Sequence, residues 1–379
     1  MNIYDVYSLY DVTPVRGKGS YVYDKNGTEF LDFYGGHAVI SIGHSHPHYI
    51  NAIASQLEQI AFYSNSVNNP LQIKLANKLE SVSNVSGYDL FLINSGAEAN
   101  DNALKLASFY NGRKSILALT NSFHGRTSAA INVTHTGRKH QAPINHGAEV
   151  VYCDLNDLEG IIKEINSNKH TCIIIEGIQG VGGLDMIDTN YLSHIRKACD
   201  ESDTILIMDE VQCGYGRSGN FFSFQSANVR PDIITVAKGM GNGFPVGGVL
   251  IDPIKMPAVK SRLGTTYGGN HLACVAGIAV LEVLEKEKLV NNTKILGAHL
   301  KKELTQLPYV TNVKGVGLMI GLELEFPIKD LRKDLIFNHQ LFTGSSINPN
   351  LLRLLPPLNI NQSHVDKFLQ KLSAGLKSI

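Results

Sequence analysis

Short apolar segments alternate with helical sequence patterns through the middle of this chain, from about residue 70 to residue 285. These segments are rich in β-branched residues and lack polar residues at alternate positions, as expected for strands that helices cover on both faces. Strands that are separated by helices usually form a parallel sheet. The pattern therefore predicts an α/β fold with a mainly parallel sheet. The predicted strands lie at 90–93, 115–119, 172–175, 204–208, 233–236 and 246–251.

Both ends of the chain have a different pattern. Residues 19–32 contain two short strand-like segments around Asn26-Gly27, a dipeptide that is typical of tight hairpin turns. Residues 313–324 have a strand pattern that glycines interrupt. The two ends are therefore expected to build a domain of their own.

A chain of 379 residues is longer than a single hydrophobic core usually serves. We expect a large ligand-binding domain at 46–287. The smaller α+β domain would combine an N-terminal segment, 1–45, with the C-terminal residues 288–379.

The charge balance points to small-molecule partners. Lysine plus arginine and aspartate plus glutamate each total 34, so the formal net charge is zero, and nothing attracts nucleic acid or an anionic membrane. No apolar run is long enough to span a membrane, and the first residues do not resemble a signal peptide. The five scattered cysteines are typical of reduced core residues. We expect a cytoplasmic protein.

Two ionisable residues end neighbouring predicted strands. Lys238 follows the run at 233–236 and precedes a glycine-rich turn, and Asp209 follows the run at 204–208. A single lysine after a strand is more often a solvated charge, but one that loses its hydration has a lowered pKa and can react with an aldehyde. Pyridoxal phosphate needs both an amine for its aldehyde and a carboxylate for its ring nitrogen. Lys238 and Asp209 could supply the two groups.

Three further segments could bind the rest of such a ligand. Residues 94–100 begin a helix with small residues, where free backbone amides and the helix dipole favour a phosphate. Residues 123–127 combine an aromatic ring with an arginine, which suit stacking and carboxylate binding. Residues 265–270 are polar, contain two glycines and precede another helix. Taken alone, each segment is more simply explained by an ordinary cap, loop or turn.

Taken in order, six segments resemble the signature of the class III pyridoxal-phosphate-dependent aminotransferases, and within them the acetylornithine and succinylornithine aminotransferases. The resemblance extends from about residue 13 to residue 375. It implies fold type I, an α/β fold with a mainly parallel sheet in a large domain and a smaller α+β domain. The segments are NSGAEAN at 94–100, FHGRT at 123–127, EGIQG at 176–180, DEVQ at 209–212, AKG at 237–239 and TYGGN at 266–270.

The resemblance implies a role for each matching residue in binding pyridoxal 5'-phosphate. Lys238 would hold the cofactor covalently and, once released, carry a proton, and Asp209 would pair with the ring nitrogen. Gln212 would bind the ring hydroxyl, while Val211 and Phe123 would enclose the ring. The phosphate would be bound by Ser95, Gly96, Ala97 and, from the neighbouring subunit, Thr266.

The same resemblance implies how substrates would bind. Arg126 resembles the arginine that binds a substrate carboxylate, and Arg353 resembles a second arginine that receives the α-carboxylate of 2-oxoglutarate. Thr265 belongs to the same substrate-binding set. Because Thr266 would reach the phosphate of the other subunit, a homodimer with shared active sites is implied.

Two residues depart from the family pattern. Relatives usually have a glutamate after Gln179-Gly180, where it can pair with the second arginine, whereas this chain has Val181. The loss of that carboxylate leaves Arg353 without a competing anion and favours a substrate with an additional carboxylate. His37 stands where relatives commonly have an aliphatic residue, in a loop near the substrate entry.

Two other motifs are not expected to bind ligands. The histidines of GHSHPH at 43–48 have no carboxylate or cysteine in sequence to complete a metal-ligand set. The glycines of GMGNG at 239–243 do not have the spacing of a dinucleotide-binding loop.

We therefore expect an N2-acyl-L-ornithine:2-oxoglutarate 5-aminotransferase of arginine biosynthesis, whose substrates are an acetylated or succinylated ornithine and 2-oxoglutarate, with glutamate as a product. Alternatives are an ornithine or 4-aminobutyrate aminotransferase and an aminomutase of the glutamate-semialdehyde type, against which Arg126 and Arg353 argue. A cofactor-binding regulator would be expected to carry a DNA-binding segment, and none is visible in the sequence. The choice of acyl group and any assembly beyond a dimer stay open.

Overall fold

The computed structural model describes residues 1–378, which form three sheets and the helices that cover them. The strands are, in chain order, β1 (Pro14–Lys18), β2 (Tyr21–Asp24), β3 (Glu29–Asp32), β4 (Asp89–Ile93), β5 (Ser115–Leu119), β6 (Val150–Cys153), β7 (His170–Glu176), β8 (Ile205–Asp209), β9 (Ile233–Val236), β10 (Gly247–Ile251), β11 (Val310–Val316), β12 (Met319–Leu324), β13 (Leu341–Phe342), β14 (Gly344–Ser345) and β15 (Leu351–Leu354).

The helices follow the same order along the chain. They are α1 (Gly35–Ala38), a single turn, then α2 (Pro47–Leu57), α3 (Pro70–Ser83), α4 (Gly96–Asn111), α5 (Ser128–Asn132), α6 (Leu158–Asn166), α7 (Thr189–Ser202), α8 (His271–Lys286), α9 (Leu289–Leu304), α10 (Lys329–Phe337) and α11 (Gln362–Lys377).

The large sheet has seven strands in the order β4-β10-β9-β8-β7-β5-β6. From β9 to β6 all neighbours pair in parallel, whereas β10 pairs antiparallel with β4 and β9. The predicted α/β fold with a mainly parallel sheet is confirmed. Each of the six predicted strands is present within one or two residues of its expected ends, and β6 was not predicted.

Successive residues of the central strands enter cores on opposite faces of this sheet. Cys172 and Ile174 of β7 pack in the core that contains α4, whereas Ile173 and Ile175 pack in the core that contains α7. Every residue of β7 is consequently buried. Burial on both faces explains why the strand has no polar alternation.

The two ends of the chain share a smaller sheet. β2 and β3 form the hairpin expected around Asn26-Gly27, β1 pairs with β2, and β13 from the C-terminal part pairs in parallel with β3. A third sheet has the order β11-β12-β15-β14. The domain boundaries near residues 45 and 287 stay a prediction.

Two general properties of the described chain bear on its partners. No helix within residues 1–378 has the length and apolar character needed to cross a membrane. The five cysteines are buried and free.

Candidate active site

A cavity of about 320 Å³ lies where β8 and β9 end and α4 begins. Ligands in open α/β sheets bind at the carboxyl ends of the strands, so the location is the expected one. Of the predicted site residues, Arg126, Thr265, Thr266 and Arg353 lie outside its wall. Those that line it are Ser95, Gly96, Ala97, Phe123, Asp209, Val211, Gln212 and Lys238.

Lys238 lies in this wall at the start of the turn that follows β9. Its backbone φ is 44°, a left-handed conformation that is uncommon outside glycine. The turn is closed by the Met240 N–H, which donates to the Ala237 carbonyl at 3.0 Å. Burial lowers the pKa of the Lys238 ammonium, against the opposing effect of Asp209 and Glu176. More of the lysine is then a neutral amine, the form that attacks an aldehyde or accepts a proton.

Asp209, the last residue of β8, faces the cavity with its carboxylate held by three donors. Its Oδ2 accepts from Asn100 Nδ2 at 2.8 Å and from His124 Nδ1 at 2.7 Å. Its Oδ1 accepts from the Val211 N–H at 3.0 Å. An ionised carboxylate can only accept, so Nδ1 of His124 must carry a proton. The carboxylate therefore has a fixed position beside the cavity.

Asn100 and His124 belong to the motifs at 94–100 and 123–127, from which no role is predicted for them. The Asn100 amide also donates to the His124 carbonyl at 2.7 Å, and its oxygen accepts from Thr235 Oγ1 at 2.7 Å. A signal for Asn100 was present in the sequence: it is a polar residue on the apolar face of α4 that also carries Ala103 and Ala107, and all three are buried. A buried polar residue at such a position needs a partner.

Glu176, at the end of β7, joins two loops of the site. Its Oε1 accepts from the Phe123 N–H at 2.9 Å, and its Oε2 accepts from the Gly180 N–H at 3.1 Å. Burial raises the pKa of this carboxyl to about 7; His124 opposes that effect, whereas Asp209 adds to it. Glu176 thus fixes the backbone beside the predicted ring-stacking residue, a role that the sequence did not indicate.

The start of α4 allows both a neighbouring side chain and an anion to come close to its backbone. Ser95 caps the helix, with its Oγ accepting from the Glu98 N–H at 3.3 Å. A Cβ at Gly96 would lie 2.6 Å from Cγ1 of Val211, which is closer than non-bonded carbon atoms approach each other in proteins. Only glycine allows Val211 to pack over this helix start, which leaves backbone amides available to an anion.

Arg353 is buried in β15 behind the cavity wall. Its Nη1 donates to the Gly180 carbonyl at 2.5 Å and lies 3.4 Å from Oε1 of Gln212, while its Nε has no hydrogen-bond partner. Burial lowers the pKa of this guanidinium, and Tyr34 opposes the shift. Among residues 1–378 no carboxylate pairs with it. Val181, next to Gly180, presents an aliphatic side chain to the cavity instead.

The remaining predicted residues lie towards the surface. Arg126 and Thr266 are exposed. Thr265 is half-buried, with its Oγ1 accepting from Asn94 Nδ2 at 3.3 Å and from the Gly268 N–H at 3.1 Å. A single chain thus does not bring Thr266 to the cavity wall.

The histidines of the GHSHPH segment point to separate carboxylates. His44 pairs with Asp32, His46 with Glu287 and His48 with Glu282, at 2.6–2.9 Å. Over the described residues no cluster of histidine, cysteine and carboxylate side chains could hold a metal ion. His44 thus bonds a residue of β3, whereas His46 and His48 link the start of α2 to the C-terminal cap and to the last turns of α8.

The geometry fits pyridoxal phosphate. The cavity has a recessed lysine with a lowered pKa, a carboxylate held by three donors, and a helix start from which Gly96 removes the side chain. These groups match the aldehyde, the ring nitrogen and the phosphate of that cofactor. Fold and cavity together define a pyridoxal-phosphate-dependent enzyme.

Comparison with known proteins gives the family. Residues 5–376 match the family described as aminotransferase class-III. The chain is 37% identical to the acetylornithine aminotransferase of Caldanaerobacter subterraneus subsp. tengcongensis, over 99% of this chain and 97% of that one. It is 38% identical to the acetylornithine aminotransferase of Methanocaldococcus jannaschii, over 97% of this chain and 94% of that one. The chain belongs to the class-III aminotransferases, and the sequence-based resemblance is confirmed.

Solved structures agree with this assignment. The ornithine aminotransferase from Toxoplasma gondii ME49 has a TM-score of 0.90 at 25% identity, covering 98% of this chain and 91% of that one. A second structure of the Toxoplasma gondii enzyme, described as having partial occupancy of PLP at its active site, has a TM-score of 0.89 at 26% identity over 99% of this chain and 93% of that one. The protein is a pyridoxal-phosphate-dependent aminotransferase, as the sequence predicted.

Proposed function

We propose that this enzyme transfers the δ-amino group of an N2-acyl-L-ornithine to 2-oxoglutarate, which yields an N-acylglutamate semialdehyde and glutamate in arginine biosynthesis. The observation that carries the proposal is that Arg353, which has no carboxylate partner among residues 1–378, lies behind a cavity that contains Lys238. The near full-length likeness to acetylornithine aminotransferases supports it. Buried free cysteines fit a reducing, cytoplasmic location.

The residues of the chain would divide the work as follows. When bound, the cofactor supplies an electron sink for proton removal from the carbon that bears the amine. Lys238 would hold the cofactor and afterwards accept and return that proton, and Asp209 would keep the ring nitrogen protonated. Phe123 and Val211 would enclose the ring, and Gln212 would bind the ring hydroxyl. Because these residues line one cavity, they would hold the reacting groups together.

The substrate carboxylates would be bound by two arginines in different surroundings. Arg126 is exposed, and we assign it to the α-carboxylate of the amino donor. Arg353 is buried and bonded only to neutral acceptors, so its charge is available to a carboxylate of 2-oxoglutarate. Thr265 would support the substrate from the rim of the site.

A second candidate function is ornithine aminotransfer, which the names of the structural neighbours favour. Purified enzyme loaded with pyridoxal phosphate would be assayed with N2-acetyl-, N2-succinyl- and free ornithine and with 4-aminobutyrate, using 2-oxoglutarate as the acceptor. We expect either acylated substrate to have a higher kcat/KM than free ornithine. A preference for free ornithine or 4-aminobutyrate would overturn the proposal.

Val181 leads to a prediction about the acyl group. Since its neighbour Gly180 holds Arg353, an extra carboxylate on the substrate would meet an uncompensated positive charge. One charge-assisted contact is worth roughly 1.5–3 kcal/mol, on the order of ten- to a hundredfold in specificity. We expect kcat/KM for N2-succinylornithine to exceed that for N2-acetylornithine by such a factor.

Substitution at the same position tests the cause of that preference. Val181→Glu should narrow or invert the ratio, mainly by weakening the use of the succinylated substrate, because the new carboxylate would compete for Arg353. The control is Val181→Gln, because glutamine has the size of glutamate but no charge. It should leave the preference for N2-succinylornithine in place. A wild type that prefers N2-acetylornithine, or a ratio that Val181→Glu does not move, would mean that Val181 affects packing alone.

The proposed homodimer has shared active sites, because Thr266 would bind the phosphate of the neighbouring subunit. Mixing inactive Lys238→Ala subunits with inactive Thr266→Asp subunits then produces heterodimers in which one site has both native residues. After random exchange of subunits we expect about one quarter of the wild-type activity.

The control for this experiment is each inactive variant exchanged with itself, which should stay inactive. If Thr266 acted within its own chain, every site of the heterodimer would contain a defect. No activity would then return on mixing. An active monomer in sedimentation would also contradict the shared site.

A further inference from the structure

The segment Gly35–Ala38 forms one left-handed turn at the edge of the site. Its four φ angles are 55°, 55°, 67° and 64°, although two of the residues, His37 and Ala38, are not glycine. Consecutive left-handed residues are unfavourable for L-amino acids, and such backbone persists only when its surroundings fix it. The unusual backbone points to a role for the side chain that it places.

Surrounding contacts hold this turn firmly. Asp32 Oδ1 accepts from the N–H groups of Tyr34 and Gly35 at 2.9 and 2.8 Å. The Ala38 N–H donates to the Tyr34 carbonyl at 3.1 Å. A Cβ at Gly35 would lie 2.7 Å from the Leu355 carbonyl oxygen, so a larger residue would push the turn away from the strand that carries Arg353.

The turn directs two groups of His37 at the surroundings of Arg353. The His37 carbonyl accepts from Gln212 Nε2 at 3.2 Å, and Oε1 of the same amide faces Arg353 Nη1 at 3.4 Å. The imidazole lies beside Tyr34, whose Oη is 2.6 Å from Nδ1 and 2.7 Å from Nε2. In either tautomer of the neutral imidazole, an unprotonated nitrogen that can accept a hydrogen bond lies within reach of the phenol.

Tyr34 in turn lies against Arg353. Gly344 pairs with Arg353 across β14 and β15, and a Cβ at Gly344 would lie 2.8 Å from Cε2 of Tyr34. Burial raises the pKa of the Tyr34 phenol, and the charge and hydrogen bonding of Arg353 oppose the shift. The guanidinium is thus near enough to affect the pKa of the phenol, while the hydroxyl lies at hydrogen-bond distance from His37.

We propose that His37 is a positioning residue for Arg353. Its imidazole accepts a hydrogen bond from the Tyr34 hydroxyl, and its carbonyl fixes Gln212. The guanidinium is then held by neutral acceptors, and its charge stays free for a substrate carboxylate. This role rests on the proposed function, because it concerns the binding of the dicarboxylate acceptor. It also explains why an unusual backbone is retained at this point.

The electrostatics around His37 agree with this role. Partial desolvation, together with the positive charges of Arg353, Lys238, Arg126 and Arg332, lowers the pKa of His37 to about 4. The imidazole is therefore neutral above that pH and keeps a nitrogen that can accept. Protonation would make both nitrogens donors, and the Tyr34 hydroxyl would have to turn its proton towards the guanidinium.

Three substitutions separate the side chain from the backbone. His37→Asn tolerates the left-handed conformation and places its amide oxygen near the position of Nδ1, so it should behave like the wild type. His37→Gly relieves the backbone but removes the acceptor. His37→Leu removes the acceptor and replaces the imidazole with an aliphatic side chain of similar size.

We expect KM for 2-oxoglutarate to rise roughly three- to tenfold in His37→Gly and His37→Leu, the worth of one neutral hydrogen bond, with a small change in kcat. The first half-reaction with N2-acetylornithine, which brings no second carboxylate, should be nearly unchanged. Calorimetric titration of the pyridoxamine form with 2-oxoglutarate should show the same loss of affinity without turnover. Thermal unfolding of His37→Gly should occur at the wild-type temperature or above it.

The outcomes distinguish this role from the proposed function. If the wild type binds 2-oxoglutarate and His37→Gly binds it equally well, the positioning role is overturned alone. If His37→Asn loses as much affinity as His37→Gly, the imidazole acts by shape and the hydrogen-bond argument is overturned. A wild type that binds no 2-oxoglutarate overturns the proposed function and this role with it.

Discussion

Replacing Lys238 by alanine is expected to lower kcat/KM for amino transfer to 2-oxoglutarate by at least about 10²- to 10⁴-fold, the usual contribution of one positioned acid–base group. The near-visible absorption of the bound cofactor, and its borohydride-reducible attachment, should disappear as well. The reason is structural: within residues 1–378 the cavity wall contains a single lysine, and burial lowers its pKa.

Stability measurements would show that the loss of activity in Lys238→Ala is not caused by unfolding. Since the site disfavours the charged ammonium, removing the side chain should not reduce the free energy of unfolding of the cofactor-free protein. Lys294→Ala, at an exposed position in α9, is the matched control and should leave both activity and spectrum unchanged. A borohydride-reducible adduct that survives in Lys238→Ala would place the attachment elsewhere and contradict the assignment.

The position of the proposed cofactor-binding residues follows from rules that operate within short segments. Lys238 and Asp209 end neighbouring parallel strands, and parallel strands bring their carboxyl ends to one edge of a sheet. Gly96 begins the helix that follows a third strand. Sequence reasoning could place these residues together because each depends on its own strand end and not on a distant contact.

The surroundings of Arg353 could not be predicted in the same way. Its partner Gly180 is 173 residues away in the chain, and no periodicity relates the two. The left-handed turn at His37 is equally hidden, because two glycines permit that backbone but do not require it in the following residues. The resemblance to a family supplied the arginine, and the structure supplied what holds it.

Edge strand β6 has no clear signal in the sequence, for a related physical reason. Its residues are mostly half-buried, because β5 is its neighbour on one side and the strand ends the sheet on the other. Such a short strand at a sheet edge lacks the continuous apolar pattern that identified the central strands. Patterning thus finds the strands that position the cavity more readily than those at the periphery.

Asp209 and Glu210 are adjacent carboxylates for which the structure assigns different surroundings, and this difference sets the second large effect. Asp209 faces the cavity, whereas Glu210 accepts from the Ser223 and Phe224 N–H groups at 3.0 and 3.2 Å, away from the cavity wall. Removing one preorganised electrostatic group from an active site typically costs about 10²- to 10³-fold in rate. Asp209→Ala is expected to lose kcat/KM by this factor, because the ring nitrogen of the cofactor would no longer have an anion beside it.

Two further variants assign the effect to charge. Asp209→Asn has nearly the same shape, but its amide cannot stabilise a protonated ring nitrogen, so we expect it to lose almost as much activity as the alanine variant. Glu210→Gln retains an acceptor for the Ser223 and Phe224 amides, and it should keep most of the activity. Kinetics of the three variants at saturating pyridoxal phosphate would check the order. Equal losses at both positions would mean that Glu210, and not Asp209 alone, serves the cofactor; near wild-type activity in Asp209→Asn would mean that His124 and Asn100 need an acceptor here more than the ring needs an anion.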